Sequence, residues 1–443
     1  MPSQSFLFAF TKETVVRVKN IISHTQALCL RTPDTSLLQI KTCAETRNIM
    51  KTIFNILDDT AYNYPFWQPL KQIAFFDIET TGLSPKASSL YLIGLMRFDT
   101  AKQVWTLTQW FADDYQSEKP IIEAFLENIA DISYLFHFNG RTFDIPYLLK
   151  KCSRHAITLS KHCKELLEDT TGIHSVDLLT KIRPLRHALS LNSCSQTAIE
   201  QWLQIDRTDT FSGGELIQVY SEYMQQKLLR TENAYKLETV LLLHNHDDVS
   251  MMRNISSLLL YDEYLSDTDL NRLLRADFSK KMQITYEDAS ETLCLSLTLP
   301  YALPKEVTIT AANETASATL HFKECLATFT LPVCHDTLRF FFPDYKNYYY
   351  LPEEDMAMHK SVATFVDSSH RKKATAATCY TKKAGFFLPN FCPTKNVKEN
   401  FSDLPLFYKQ YKDKLSFCEL PKDYKHADLF WKQYLQLQLP QFR

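Results

Sequence analysis

Three stretches of this chain carry side chains that could do chemistry. The first is IAFFDIETTGLS at 73–84, where Asp77 and Glu79 stand two apart at the end of an apolar run. Side chains alternate along a strand, so these two carboxylates share a face and Ile78 takes the other. Carboxylates held side by side repel unless a positive charge lies between them, and hard oxygen donors favour magnesium or manganese. The competing reading is a strand end whose acids face water. The second stretch is FHFNGRTFDIPYLL at 136–149. A strand ends at Phe138, Asn139-Gly140 turns the chain, and Asp144 opens a helix. Taken singly, Asp144 reads there as a plain N-cap, with Pro146 in the first turn, and an N-cap carboxylate at a sheet's edge can also hold a metal-bound water. The third is LLLHNHDDVSMM at 241–252. His244 and Asp248 are four apart, which puts them on one face of a continuous helix. If Asn245 caps a new helix instead, the two still remain close. Asp247 and His246 read as surface polar groups.

Singly, each stretch has a bland explanation. As a set, four acids come from a strand, the start of a middle helix and a late helix, and such ends converge on one cleft in an α/β sheet. Gathered carboxylates are costly without a counter-charge. Two divalent ions would resolve the repulsion. They would also supply an activated water and a stabilised leaving oxygen, which phosphodiester hydrolysis needs.

The elements that must position these groups follow from periodicity. Residues 71–278 alternate strands and helices, an α/β pattern. IAFFDI, LYLIGLMRF, VWTLTQWF and ISYLFHF read as strands, the first three joined as hairpins, and HSVDLL adds a short fifth. IIEAFLENI and IPYLLKKCSRH read as helices. Thr197–Glu200 fits a capping box, and a long helical stretch covers about 215–260 with a break near His244. Residues 1–70 form a lead-in in which CAETRNIMKTIFNIL has helical spacing. Residues 279–443 open with alternating segments of an all-β module. A helix is expected from Pro352-Glu353-Glu354-Asp355 to about Val366, then a basic hairpin (RKKATAATCYTKKAGFF), then helices near 404–415 and 426–438. The domains expected are 1–70, 71–278 and 279–443.

Composition narrows the function classes. The chain has 443 residues, 45% hydrophobic and 23% charged, with net charge -2. That is enough for two or three globular domains. It excludes a whole-protein basic field, so nucleic acid would be gripped by local patches or metal ions. Acidic residues outnumber basic ones in 71–278, and the balance reverses in 279–443. Only seven glycines occur, and no G-x-G-x-x-G or Walker-type loop can be written from them. Phosphates must then be handled by side chains or metals. Eleven scattered cysteines without a C-x-x-C pair read as reduced thiols. No apolar run suits a membrane span, and the opening residues do not read as a signal peptide, so the expected compartment is the cytoplasm.

The three motifs, in order, carry a resemblance. D-x-E-T-T-G-L at Asp77–Leu83, F-N-G-x-x-F-D at Phe138–Asp144 and H-N-x-x-D-V at His244–Val249 resemble the DnaQ-like (DEDD) 3′–5′ exonucleases of the ribonuclease-H-like superfamily. The wording is most similar to the YprB-type branch. DLL at 177–179 adds context, as does RTDTFSGGELIQVY at 207–220. The latter looks like that branch's R-x-D-D-x-x-G segment, with Thr210 in place of the second Asp. The resemblance spans about 71–262. It implies a ribonuclease-H-like mixed sheet flanked by helices, to which the alternating segments of 279–443 add a β-rich C-terminal accessory domain.

It also implies roles. Asp77, Glu79 and Asp248 would hold one Mg2+ or Mn2+. Asp77 would bridge to a second ion that Asp144 reaches directly or through water. His244 would act as general base or orient the attacking water. Thr80, Thr81 and Leu83 would lie against the terminal nucleotide, with Asn139 and Phe143 supporting the substrate. The sequence departs from the pattern at one place. The family's base is a His five before the last Asp or a Tyr four before it, whereas here Leu243 stands at five before and His244 at four.

The function expected is metal-dependent trimming of DNA or RNA, at single-stranded ends, from the 3′ side. Arg371, Lys372, Lys373, Lys382 and Lys383, with Tyr380, Phe386 and Phe387 nearby, form a candidate nucleic-acid contact. The rival for that segment is a solvated hairpin with its aromatics in the core. Two rivals stand for the whole protein. One is a nucleic-acid-binding scaffold that has lost turnover; the other is a nuclease subunit dependent on a helicase-type partner.

Overall fold

Strand β2 (Ile73–Thr80) is apolar almost throughout because it is central: every residue except Asp77 is buried. It belongs to a six-stranded sheet with β1 (Lys51–Leu57), β3 (Leu90–Asp99), β4 (Val104–Phe111), β5 (Tyr134–His137) and β6 (Ser175–Asp177). The spatial order is β1-β4-β3-β2-β5-β6. Strands β2, β3 and β4 form an antiparallel meander, while β5 runs parallel to β2 and β6 parallel to β5. This computed structural model describes residues 50–57, 69–265, 282–287, 291–313, 316–392 and 404–443.

The helices of this region are α1 (Glu118–Asn128), α2 (Asp144–Arg154), α3 (Lys161–Leu167), α4 (Leu178–Ile182), α5 (Gln196–Trp202), α6 (Gly213–Leu228) and α7 (Glu232–Ile255). The core combines sheet residues such as Phe76, Ile93 and Phe111 with Phe125 of α1, Leu148 of α2, Tyr220 of α6 and Leu241 of α7. The fold is thus a ribonuclease-H-like mixed α/β sheet flanked by helices, followed by β-rich sheets.

Several local expectations are corrected. KTIFNIL is not helical: it is β1, paired along its whole length with β4 from Lys51↔Phe111 to Leu57↔Trp105. Its apolar spacing suits both periods, and the free edge of β4 decides between them. Residues 43–49 lie outside the described residues. The cap of α5 is Ser195, whose Oγ accepts from the Ala198 N–H (3.3 Å), so Thr197 lies inside the helix. The long helical stretch breaks at 229–231, where Arg230 takes φ 54°, and α7 runs unbroken through His244.

The chain divides into two compact units, residues up to Arg183 with Ser193–Ser257, and Pro184–Asn192 with Leu258–Arg443. The boundary expected at 278/279 lies outside the described residues.

The second unit holds a five-stranded antiparallel sheet, β7 (Met282–Glu287), β8 (Thr292–Thr298), β9 (Val307–Ala312), β10 (Ser317–Lys323) and β11 (Leu326–Pro332), in the order β7-β8-β11-β10-β9. Alternation is regular there: Leu293, Leu295 and Leu297 of β8 point inward. A four-stranded sheet follows, β12 (Cys334–Phe341), β16 (Tyr380–Pro389), β18 (Phe417–Glu419) and β17 (Leu406–Phe407), in that order. A small sheet has β13 (Tyr348–Leu351) between β14 (Met356–His359) and β15 (Lys372–Lys373). Among the described residues the helices of this unit are α8 (Leu259–Leu265), α9 (Lys360–Ala363) and α10 (Asp428–Gln438).

Pro352–Asp355 is a turn between β13 and β14, not a helix start. Asp355 sits at φ 49°, and the Tyr350 and Tyr380 hydroxyls donate to its carboxylate. The basic hairpin does not form, because β15 pairs with β13 and β16 with β12. The segment near 404–415 contains β17 and turns instead of a helix, while α10 matches the last helix expected.

Candidate active site

Asp77 and Glu79 leave the C-terminal half of β2 on one face, just before a register shift between Glu79 and Thr80. Asp77 lies opposite Gly94 of β3. A Cβ on Gly94 would stand 2.2 Å from Asn245 Oδ1 and 2.9 Å from Val249 Cγ2, so the bare glycine is what admits α7 this close to the sheet. Asn245 then donates from Nδ2 to Asp77 Oδ2 (3.1 Å), while Gln109 of β4 donates to Asn245 Oδ1 (3.0 Å) and to the Leu242 carbonyl (2.8 Å). These bonds set the rotation of α7.

With α7 fixed, His244 and Asp248 face the strand acids. His244 Nε2 lies 3.6 Å from Glu79 Oε1 and 3.2 Å from Asp248 Oδ2, and Nδ1 lies 2.6 Å from Asp209 Oδ2. Arg207 Nη2 donates to Asp248 Oδ1 (2.5 Å), and Nη1 donates to both oxygens of buried Glu200 (3.2 Å each).

Asp144 completes the set, and its N-cap reading is overturned. Phe143 is the capping residue of α2, with no side-chain cap bond. The charged form of the Asp144 carboxylate is favoured by its own N–H and by the Ile78 N–H of β2. That strand amide lies beyond the last β2–β5 pair, Phe75↔Phe136. The Asn139-Gly140 turn that leads there is tight. Asn139 takes φ 61°, and a Cβ on Gly140 would come within 2.7 Å of His137 Nδ1. Asp177 fastens the turn by accepting from the Asn139 N–H (3.1 Å) and the Arg141 N–H (3.3 Å). Burial pushes His137 down to about 4, so it stays neutral.

The charge balance of the cluster is lopsided. Burial, then the charges of Asp144, Glu79 and Asp248, hold Asp77 well above the usual carboxylate range. Burial is also the main reason that Glu79 rises to about 8 and Asp144 to about 7. Burial would raise Asp248 too, but the His244 hydrogen bond and charge, then Arg207, hold it low. Burial opposes the charge on His244, yet its bonds to Asp209 and Asp248 and the charge of Glu79 lift it to about 11. Donor atoms of Glu79, His244 and Asp248 lie within 4.8 Å of one another. Buried carboxylates pressing on each other, with an imidazole and hard oxygens converging, are donors that fit a divalent cation.

The structure thus brings Asp77, Glu79, Asp144, His244 and Asp248 together. The neighbouring residues named from sequence divide in two. Thr80 Oγ1 donates to the Gly82 carbonyl (3.0 Å) and Thr81 Oγ1 accepts from the Ser89 N–H (2.8 Å), so both hydroxyls shape the turn. Asn139 Oδ1 accepts from Thr142 (2.8 Å), and Phe143 packs on Tyr147. Leu83, by contrast, is 81% exposed at the turn after β2.

The basic residues lie in the second unit, on two different sheets. Lys382 pairs with Asp355, and Lys383 with Glu419 at 2.6 Å. Arg371 covers the Tyr349 ring at 4.9 Å and donates to the Ala363 carbonyl. Lys372 and Lys373 are exposed. Phe387 is core, Tyr380 is buried, and Phe386 stacks on His335.

Sequence reasoning missed Arg207, Asp209, Glu200, Asn245 and Asp247. Asp247 is not a surface group: it is buried and accepts from the N–H groups of Thr208 (3.1 Å) and Asp209 (2.9 Å). Two signals were available. Gly94 is one of seven glycines and sits in an apolar strand, which marks close approach of another element. Arg207 and Asp209 stood in a segment quoted only as context.

Residues 74–269 match the family model described as RNase_H superfamily. This region has a ribonuclease-H-like fold. A search of curated proteins finds no significant match. Among solved structures, the chain is similar to the family B DNA polymerase of Pyrobaculum calidifontis (13% identity, TM-score 0.34), over 64% of this chain and 36% of that one. It is similar to E. coli exonuclease I in complex with a dT13 oligonucleotide (11% identity, TM-score 0.27), over 74% and 67%. It is also similar to exonuclease I of Methylocaldum szegediense (12% identity, TM-score 0.24), over 58% and 64%. The chain therefore spans 36% of the polymerase's length. TM-scores this low carry no functional argument.

Proposed function

We propose that this protein is a metal-dependent 3′–5′ exonuclease of the DnaQ-like (DEDD) type, of the YprB-like branch, hydrolysing phosphodiester bonds of DNA or RNA in the cytoplasm. The observation that carries the reading is the convergence of Asp77, Glu79, Asp144, Asp248 and His244, from β2, α2 and α7, on one buried cluster with unbalanced negative charge. Two Mg2+ or Mn2+ ions held by Asp77, Glu79, Asp144 and Asp248 would neutralise the scissile phosphate, acidify a water and stabilise the leaving oxygen.

The chain's own residues do the rest. His244 presents Nε2 beside Glu79 and Asp248; bound cations would neutralise the acids that hold it protonated in the metal-free protein, leaving Nε2 able to accept a proton from the attacking water. Leu83, exposed at the turn, and Phe143, at the head of α2, flank the terminal nucleotide. Thr80 and Thr81 hold the turn that carries Leu83. Asn139 sets the turn that delivers Asp144. In the second unit Lys372 and Lys373 are the cations free to meet phosphates, since Lys382 and Lys383 already face acids.

One observation favours a second reading. Arg207 engages Asp248 at 2.5 Å, which suits a nucleic-acid-binding protein whose centre is held closed. The test is release of mononucleotides from end-labelled single strands of DNA and RNA, either end blocked, with Mg2+ or Mn2+. Release from free 3′ ends, lost in Asp77→Asn, supports the enzyme. Binding without release supports the scaffold.

A further inference from the structure

We propose that Asp209 is a positioning residue for His244: its carboxylate engages Nδ1 and sets the ring so that Nε2 is the nitrogen turned toward Glu79, Asp248 and the reacting groups. This rests on the hydrolytic reading of the site given above.

The geometry is specific. His244 is 6% exposed, and its closest polar neighbour is Asp209 Oδ2, 2.6 Å from Nδ1. An ionised carboxylate only accepts, so Nδ1 donates. Nε2 is then left facing Glu79 and Asp248. A carboxylate behind a working imidazole fixes its tautomer and orientation, and its removal costs roughly 10–100-fold in metal sites.

Asp209 is delivered to this place by dedicated bonds. It lies in the loop between α5 and α6. Its own N–H, and that of Thr208, donate to Asp247 Oδ2. Asp247 is three residues beyond His244 on α7, so one helix carries both the ring and the hook that draws Asp209 onto it. The second oxygen of Asp209 accepts from the Phe211 N–H (3.2 Å), and Arg207 Nη2 reaches Oδ2 at 3.3 Å. With both oxygens bonded, the carboxylate cannot rotate away. Arg207 also ties it to Asp248, so the helper of the imidazole and a metal-binding carboxylate move as one body.

The test compares Asp209→Ala and Asp209→Asn in the full chain. Two readouts are taken: kcat and KM for end-labelled single strands with Mn2+, and the Nδ1–H proton signal of His244 in protein labelled with 15N-histidine. Asp209→Ala should lower kcat by roughly 10–100-fold, with KM within about twofold, and should remove the downfield Nδ1–H signal. Asp209→Asn, which is isosteric and can accept through its amide oxygen, should recover part of both. Equal loss in Asn and Ala, or an Nδ1–H signal unchanged in Asp209→Ala, overturns the proposal. If the wild-type chain hydrolyses no strand, the hydrolytic reading fails. The Nδ1–H signal still decides whether Asp209 holds His244. Should Asp209→Ala not fold, the isosteric Asn variant carries both readouts, and wild-type values in it overturn the proposal.

Discussion

Gly94→Ala adds one methyl group at the point where α7 meets the sheet. The new carbon would lie 2.2 Å from Asn245 Oδ1 and 2.9 Å from Val249 Cγ2, against an ordinary approach of roughly 3.5–4 Å. Neither neighbour can yield cheaply. Asn245 is fully buried, with its amide bound to Asp77 and Gln109, and Val249 is fully buried on the same helix. Either α7 lifts by about 1 Å or Asn245 turns away and loses its bonds. Overpacking costs about 1–3 kcal/mol, and each hydrogen bond lost about 1 kcal/mol. A loss of roughly 3–4 kcal/mol is therefore expected, read as a lower urea midpoint at unchanged m-value. The rate should fall further than stability, because His244 and Asp248 ride on the displaced helix. A misplacement of about 1 Å can cost on the order of 100-fold. Urea titration followed by hydrolysis of end-labelled strands at a temperature where the variant is fully folded checks both. A variant within about 0.5 kcal/mol of wild type that keeps full rate would refute the view that this glycine admits the helix.

Asp144→Asn should abolish hydrolysis while leaving the metal-free protein at pH 8 as stable as wild type or more so, because a carboxyl raised to about 7 is ionised there against its surroundings. A clear drop in melting temperature would contradict that. The metal-free protein should also lose stability as pH rises. Glu79 and Asp144 hold protons more tightly folded (about 8 and about 7) than unfolded (4.5 and 3.8), so their contribution is full below the unfolded values and gone above the folded ones. His244, raised from 6.5 to about 11, continues the slope in the same direction. Melting curves in EDTA between pH 4 and 8 read this directly, and a rise across that interval would be the wrong sign. Mn2+ added at pH 8 should restore the loss, by binding the folded state. Arg207→Ala should cost about 3–5 kcal/mol in chemical denaturation, since it leaves Glu200 buried without its cation; a change under 1 kcal/mol would show that the pair adds nothing.

What could be read from the residues alone was local. Asp77 and Glu79 close a strand legible from its continuous apolar run, and β8 is legible from its alternation. His244 and Asp248 are related by helical spacing, which needs no knowledge of the rest of the fold. What failed depended on distant partners or on ambiguous signals. KTIFNIL suits two periods, and the edge of β4 made it a strand. Pro followed by three acids marks either a helix start or a tight turn, and hydrogen bonds from Tyr350 and Tyr380 to Asp355 chose the turn. Asp247 looked like a surface acid because the backbone it engages, at Thr208 and Asp209, lies nearly forty positions away in the chain. The N-cap position of α2 falls on Phe143, one residue before Asp144, a difference of one position that spacing alone does not resolve.

The order in which these groups leave the ribosome has a consequence. Asp77, Glu79 and Asp144 emerge early, but the segment that brings His244, Asn245, Asp247 and Asp248 follows about a hundred residues later as part of one uninterrupted helix. Until that helix is complete and seated on the bare backbone at Gly94, the early acids have no imidazole and no fourth carboxylate. A chain cut short before this helix therefore lacks part of the cluster, and the set is complete only once the helix has docked.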